Sequence, residues 1–322
     1  MKPYVPPLVL VICVLLLCAG CTQAQNPSAG NDTAQKTIRI SGAFALYPMM
    51  ITWSEEYKKI HPEVDFEISA GGAGKGMTDA LTGMVDIGMV SRDISPAEEA
   101  RGARYVAVAK DAVVGTYNAR NPAGSAISRR GLTQNELQHL FVNGSITDWS
   151  SIGGTPGTAA PVHVYTRSDA CGASDVWSKF LGNFTQEDLY GTGVYGDPGI
   201  VEAVKGDTAG IGYNNINFAY DMISGRPVAG IAIVPLDLNS NGVIDPDEDF
   251  YGTRDDLIRA ISEKKYPSPP ARMLYLATRD SFSGETREFV RWILTDGQNL
   301  TATAGYLPVD PVVVQEELKT LG

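Results

Sequence analysis

Apolar residues recur along this chain in two rhythms. Met50, Trp53, Tyr57 and Ile60 are spaced by three and four, which places them on one helical face, and Pro62 closes that run. The same spacing returns in Met77, Leu81 and Met84, in Val176, Trp177, Phe180 and Leu181, and in Phe289, Trp292 and Ile293. A further helix is predicted around 135–141. Between these stretches lie strand-like runs at 38–40, 64–68, 85–90, 162–165 and 272–278, and a long one at 107–118. Strands alternating with helices predict an α/β fold with largely parallel pairing. The 107–118 run leaves the first unit and the 272–278 run returns to it. One domain is therefore interrupted by another, with two crossing strands as a hinge. Small-ligand clefts favour such domain boundaries.

Composition agrees with a globular protein of two domains. The chain has 322 residues, 43% hydrophobic and 20% charged. Its formal net charge of −11, with no Lys/Arg run, argues against a nucleic-acid partner. An acidic chain can still hold an anion, because such a site works through local dipoles and single charges.

The N-terminus reads as a processing signal. Lys2 is followed by an almost wholly apolar stretch at 8–17, too short for a comfortable membrane span, and then by Leu17-Cys18-Ala19-Gly20-Cys21. That ending resembles the lipobox of exported lipoproteins, in which the cysteine is acylated. Residues 1–21 are then a signal peptide, Cys21 carries the lipid, and the polar 22–37 stretch is a flexible tether. An ordinary cleaved signal and an uncleaved anchor are the other readings. Each places the domain outside the cytoplasm, and the anchored forms hold it at the outer face of the cell membrane. Cys171 is the one cysteine beyond this region, so the exported domain has no internal disulfide. Sequons at Asn31, Asn143, Asn183 and Asn299 permit glycosylation in a suitable host.

The densest chemistry lies at Thr166-Arg167-Ser168-Asp169-Ala170-Cys171-Gly172-Ala173-Ser174, between a strand-like run and a helix-like run. Free backbone N–H groups and the helix dipole make a helix N-terminus an anion site, and arginine adds a planar fork of donors suited to phosphate or carboxylate oxygens. A capped helix beside a surface ion pair is the plainer reading. A second strand–helix junction carries Gly71-Gly72-Ala73-Gly74-Lys75-Gly76. It departs from a P-loop at Ser69 and Gly76, and from a dinucleotide fingerprint at Met77. What remains is a glycine turn that lets backbone approach a ligand.

These pieces, taken with Ile40-Ser41-Gly42-Ala43, Tyr47-Pro48, residues 85–92, Gly210-Ile211-Gly212-Tyr213, residues 289–297 and Gly305-Tyr306-Leu307-Pro308, match a family in order and spacing over 37–308. They resemble the phosphate-binding proteins of ABC phosphate uptake systems. The resemblance implies an α/β, two-lobed periplasmic-binding-protein-like fold of type II, each lobe a mixed, mostly parallel sheet flanked by helices. Lobe 1 would be 38–115 plus 270–322, and lobe 2 would be 116–269. The oxyanion would sit between them. Carried over, its loops fall near Ala43 to Tyr47 (with Ala45 and Leu46), at Ala73 and Gly74, at Ser91 and Arg92, and at Arg167 to Ala173 (with Arg167, Asp169, Cys171, Gly172 and Ala173). In the family the arginine touches phosphate and the aspartate two residues on orients it. Here Ala45, Leu46, Ala73, Cys171 and Ala173 stand where hydroxyl donors are usual, which leaves backbone N–H donors. Some members also offer an aspartate near Ser91 to accept the proton of HPO₄²⁻; Asp93 is the nearest such residue.

One segment has no place in that family. Residues 237–248 fit an EF-hand calcium loop position by position. Asp237, Asn239, Asn241 and Asp245 supply oxygens at 1, 3, 5 and 9, Gly242 takes position 6, Val243 offers its carbonyl at 7, and Glu248 closes the loop at 12. A solvated acidic turn is the bland reading. The flanks do not read as paired helices and Pro246 sits inside the loop, so a structural Ca²⁺ staple is expected rather than a sensor.

His61, His139 and His163 have no Ser or Cys partner in a recognisable motif, so no enzyme is expected. The resemblance implies a lipid-anchored extracytoplasmic binder that captures phosphate and delivers it to an ABC transporter permease. A binder of another oxyanion (sulfate, tungstate) or a signalling receptor of the same fold remains open, as does a calcium-dependent surface protein without a ligand.

Overall fold

The structure, a computed structural model, describes residues 36–153 and 159–321. The signal peptide, Cys21 and nearly all of the tether lie outside the described residues. Among the described residues there are nine strands: β1 (Lys36–Gly42), β2 (Val64–Ala70), β3 (Ile87–Val90), β4 (Ala103–Asn118), β5 (His163–Arg167), β6 (Thr192–Val194), β7 (Gly210–Asn215), β8 (Ile231–Ile233) and β9 (Ala271–Arg279). They form one sheet in the order β2-β1-β3-β9-β4-β7-β5-β6, with β8 also on β4.

Pairing is parallel among β2, β1 and β3 at one end and among β7, β5 and β6 at the other. It is antiparallel wherever β4 or β9 takes part. The reason is topological. Strands joined through a crossover helix run parallel, whereas β9 comes back against β4 from the far lobe. The first half of the sixteen-residue β4 pairs with β9 and its second half with β7 and β8, so this one strand runs through both lobes. Its register shifts between Ala107 and Ala109, an irregularity of the kind that bends a strand.

Two hydrophobic cores flank this crossing. One gathers Trp53, Tyr57, Leu276 and Phe289; the other gathers Phe141, Trp149, Trp177, Tyr213 and Leu257. They part between Ala109 and Ala112 on β4 and between Ala271 and Leu274 on β9. Burying each large side chain contributes roughly 1.5–3 kcal/mol. Two buried indoles also satisfy their N–H groups, Trp53 on Gly297 O and Trp149 on Ala209 O, both at 2.9 Å.

Three local expectations need correction. Ile60 is 58% exposed, because the Tyr47–Ile60 helix ends there; the buried face is Met49, Met50, Trp53 and Tyr57. Met84 is 66% exposed, because left-handed Gly83 ends the Ala73–Thr82 helix and breaks its phase. Lys36 and Thr37 belong to β1 rather than to a tether, since they pair with Val64 and Asp65 of β2. Among the described residues no helix is long and apolar enough to cross a membrane.

Candidate anion site between the lobes

β5 delivers Arg167 to the carboxyl end of the second lobe's strands, and the Gly172–Gly182 helix starts five residues later. Tyr213 of β7 ties the two together. Its buried hydroxyl accepts from Arg167 N at 3.2 Å and lies 2.8 Å from Thr166 Oγ1 and 2.7 Å from Ser174 Oγ. Burial pushes the Tyr213 phenol well above its ordinary range, so it stays protonated.

The Arg167 side chain is 1% exposed and is clasped by two carboxylates. Nε and Nη2 donate to Asp169 Oδ1 and Oδ2 at 2.7 and 2.6 Å, and Nη1 donates to Asp197 Oδ2 at 2.6 Å. Burial alone would lower the guanidinium pKa. The charge of Asp197 and the bonds to Asp169 outweigh it, so Arg167 is held charged. Three of its five N–H groups are taken, which leaves two for a ligand. Asp169 Oδ1 also accepts from Gly196 N at 3.0 Å. The aspartate two residues on does fix the arginine.

Lobe 1 meets this wall with backbone. A 3₁₀ turn, Phe44–Leu46, opens the Tyr47–Ile60 helix, and Gly72 caps the Ala73–Thr82 helix. Gly72 has φ +90°, and a Cβ there would stand 2.6 Å from Ala170 O and 2.9 Å from Asp169 Oδ2. Only glycine permits that approach. Gly74 N donates to Ala170 O at 3.1 Å, and a Cβ on Gly172 would stand 2.1 Å from Ser91 O. The loops of the two lobes therefore touch. Phe44 reaches furthest across: its ring centroid lies 5.2 Å from the Arg167 guanidinium carbon, and its edge contacts engage Tyr195 and Phe218. Gly196 leaves room for that ring.

The structure brings most of the expected residues together. Ala45, Leu46, Ala73, Ser91, Arg167, Asp169, Cys171, Gly172 and Ala173 are buried at or beside this meeting of loops, with Gly74 half-buried. The Arg92 side chain turns elsewhere, donating to Glu98 at 2.7 and 3.0 Å and to Asp93 O at 2.9 Å. Burial opposes ionisation of Glu98, but the Arg92 and Ser95 bonds hold its pKa down at about 2. Asp93 points to solvent, 84% exposed, opposite Lys179. Cys171 serves as a helix cap, its Sγ accepting from Ser174 N, and burial raises its thiol pKa. Such a thiol is a poor nucleophile. The histidines pair elsewhere: His61 with Glu63, His139 with Ser145 and His163 with Asp207.

Sequence reasoning missed Asp197, and it placed Phe44 inside the first expected loop without giving it a role. Asp197 sits in Gly196-Asp197-Pro198, where the Gly196–Gly206 helix begins just after β6. A third strand–helix junction of that kind was a usable signal. Nothing in the sequence set the Phe44 ring apart from the rest of its loop.

The 237–248 loop lies apart, after β8, pinned to lobe 2 through Asp237 N on Leu132 O and Ile244 N on Arg129 O. Asp237 and Glu248 are 3% and 5% exposed. Asp237 accepts from Asn241 N and Gly242 N at 3.1 and 2.8 Å; Glu248 accepts from Leu238 N, Asn239 N and Asp245 N at 2.9, 3.3 and 3.3 Å. The Asn239 and Asn241 amides both donate to Asp245 Oδ2, at 2.9 and 2.8 Å. Gly242, at φ +80°, takes the turn. The loop is thus wrapped around positions 1 and 12. The Asn239 and Asn241 Oδ1 atoms accept from Asn241 N and Val243 N at 3.0 and 2.9 Å.

The whole-chain comparisons agree with this geometry. The PBP superfamily domain matches residues 27–296. The chain is 24% identical to the phosphate-binding protein PstS of Methanocaldococcus jannaschii, over 90% of this chain and 88% of that one. It is 23% identical to the phosphate-binding protein PstS of Bacillus subtilis, over 96% and 95%. A substrate-binding protein of Clostridium perfringens, assigned to phosphate ABC transport and solved with bound phosphate, superposes with a TM-score of 0.70 at 25% identity, over 85% of this chain and all of that one. Two lobes joined by two crossing strands, a clasped arginine between them and a domain match over most of the length lead to one conclusion: this chain belongs to the PBP superfamily.

Proposed function

We propose that this protein is a phosphate-binding protein of an ABC uptake system, which captures the anion between its lobes outside the cytoplasm. The observation that carries the reading is Arg167, charged and buried where the helix starts of both lobes converge. Its two spare N–H groups and the backbone donors of lobe 1 make a two-sided cradle for a tetrahedral oxyanion. Arg167, Asp169 and Asp197 together carry a formal net charge of one negative. Attraction by net charge is therefore not what holds the ligand; directed donors are. A carboxylate on that wall also favours an anion that brings its own proton, as HPO₄²⁻ does and sulfate does not, because a carboxylate oxygen with lone-pair capacity left can accept that proton, whereas two bare anionic oxygens repel. Asp169, against the Gly72 turn, is the carboxylate placed for that role. Titration calorimetry with phosphate, sulfate and tungstate tests the reading. Binding of phosphate alone supports it, equal affinities favour a general oxyanion binder, and no heat with any of them removes it.

Delivery follows from hinge closure, which changes the lobe surface that a permease meets. Acylation at Cys21 would keep the protein at the outer face of the membrane. Substituting Cys21→Ser should then release it into the medium, and retention on the membrane would count against a lipid anchor. The 237–248 loop we read as a structural Ca²⁺ staple held by Asp237, Asn239, Asn241, Val243, Asp245 and Glu248. Hard oxygens at that spacing suit Ca²⁺, and the loop is fixed at both ends to the lobe 2 core.

A further inference from the structure

A line of buried hydrogen bonds runs from Arg167 away from the cleft to the crossing strands. Asp197 receives Arg167 Nη1 on Oδ2 and is fully buried. The same carboxylate accepts from Asn215 N at 2.8 Å and from Asn215 Nδ2 at 2.7 Å. Asn215, the last residue of β7, accepts on its Oδ1 from Arg272 Nη2. Arg272 of β9 faces Asp111 of β4 in the strand register and binds it at 2.8 and 3.3 Å. This is where β4 changes partners: Ala112 still faces Ala271 of β9, and Val113 already faces Asn215 of β7. It is also where the two cores part.

Such a line is a poor stabiliser, because the desolvation of buried ion pairs cancels much of their attraction. It is a good positioner. Each link is directional and made by side chains that are 5% exposed or less, so a shift at one end is felt at the next. Arg272 keeps one buried Nη1 without a hydrogen-bond partner among the described residues. That donor gives the guanidinium a second way to pair when the strands rotate.

We propose that Asn215 and Arg272 are positioning residues that couple anion capture at Arg167 to the rotation of the lobes about β4 and β9. Neither residue contacts the ligand in this account. They act through Asp197, so that the arrangement of Arg167 which binds the anion is the one the closed hinge favours. By linkage, anything that loosens the hinge end weakens binding at the other. The inference rests on the phosphate reading above.

The test cuts the line at its middle. Asn215→Ala removes the bridge and leaves both ion pairs, Arg167–Asp197 and Arg272–Asp111, intact. Arg272→Lys keeps the charge and loses the bridge from the other side. Each should weaken phosphate binding about ten-fold, and the double variant should be no weaker than the weaker single. Small-angle scattering should show that the variants contract less on adding phosphate. Affinities within two-fold of wild type in folded variants, with only a lowered melting temperature, would overturn the proposal, and so would losses that multiply in the double variant. If one variant fails to fold, the other alone decides by the same affinity criterion. A wild-type chain that binds no phosphate would remove the functional reading itself; a wild type that binds while the variants bind equally well removes only the coupling.

Discussion

The two walls of the cleft are built on different principles. Lobe 2 presents side-chain charge: Arg167 clasped by Asp169 and Asp197, each nine-tenths buried or more. Lobe 1 presents backbone and an aromatic ring: the Phe44–Leu46 turn, the Gly72–Gly74 turn and Phe44 itself. A charged wall fixes where an anion sits. In the proposed closure, a neutral wall of N–H groups would cover it without adding a competing ion. The division explains how alanines and a leucine can stand where hydroxyls are usual in the family. On lobe 1 the proposed donors are main-chain.

The largest effect should come from breaking the charged wall. Arg167→Ala removes the fork and leaves two buried carboxylates without their counter-ion. Phosphate affinity should fall more than about 100-fold, since charge-assisted bonds contribute roughly 1.5–3 kcal/mol each. The melting temperature should fall as well, read by calorimetry on the same sample. Breaking the neutral wall at its tightest point comes next. Gly72→Ala puts a Cβ 2.6 Å from Ala170 O at φ +90°, so closure should suffer and affinity drop about ten-fold or more. Full affinity in this variant would mean that the lobes need not meet there. Phe44→Ala removes the ring over Arg167 and should cost a few-fold in affinity, in keeping with about 0.5–2 kcal/mol for a cation–π contact.

Two smaller effects lie outside the walls and check that they act locally. Calcium should raise the melting temperature and EDTA lower it, with phosphate affinity unchanged. Indifference to both would remove the staple, and a change in affinity would show that the loop reaches the cleft. The Arg92–Glu98 pair, near Ser91 in the chain, should add a pH dependence to stability. Glu98 titrates at about 2 when folded against 4.5 as its ordinary value. Its contribution is therefore complete above about pH 4.5 and is lost as the pH falls toward 2. Glu98→Gln should flatten the acid limb of the melting-temperature curve over that window and leave the neutral-pH affinity alone.

Much of this arrangement was legible in the sequence, for physical reasons. The period of Met50, Trp53 and Tyr57 gave a helix because one face had to be buried, and Ile60 broke the pattern only because the helix ended. Arg167 and Asp169 were readable because arginine, aspartate and a small-residue turn at a helix start form one local unit. The junction that holds Asp197 was readable but its pairing was not, because its partner stands thirty positions earlier and the fold alone joins them. Asp111, Asn215 and Arg272 are harder still, being single polar residues inside strands whose meaning comes from register across β4, β7 and β9. Asp93 shows the opposite error. It lies near Ser91 in sequence yet faces solvent beside Lys179.

The central claim, that both walls act on one anion, is tested most directly by a crystal structure of the protein with phosphate or its electron-dense analogue tungstate. The account predicts one anion within hydrogen-bond distance of the Arg167 guanidinium on one side and of backbone N–H groups in the Phe44–Leu46 or Ala73–Gly74 turns on the other. An anion held by one lobe alone, or bound away from Arg167, would contradict it.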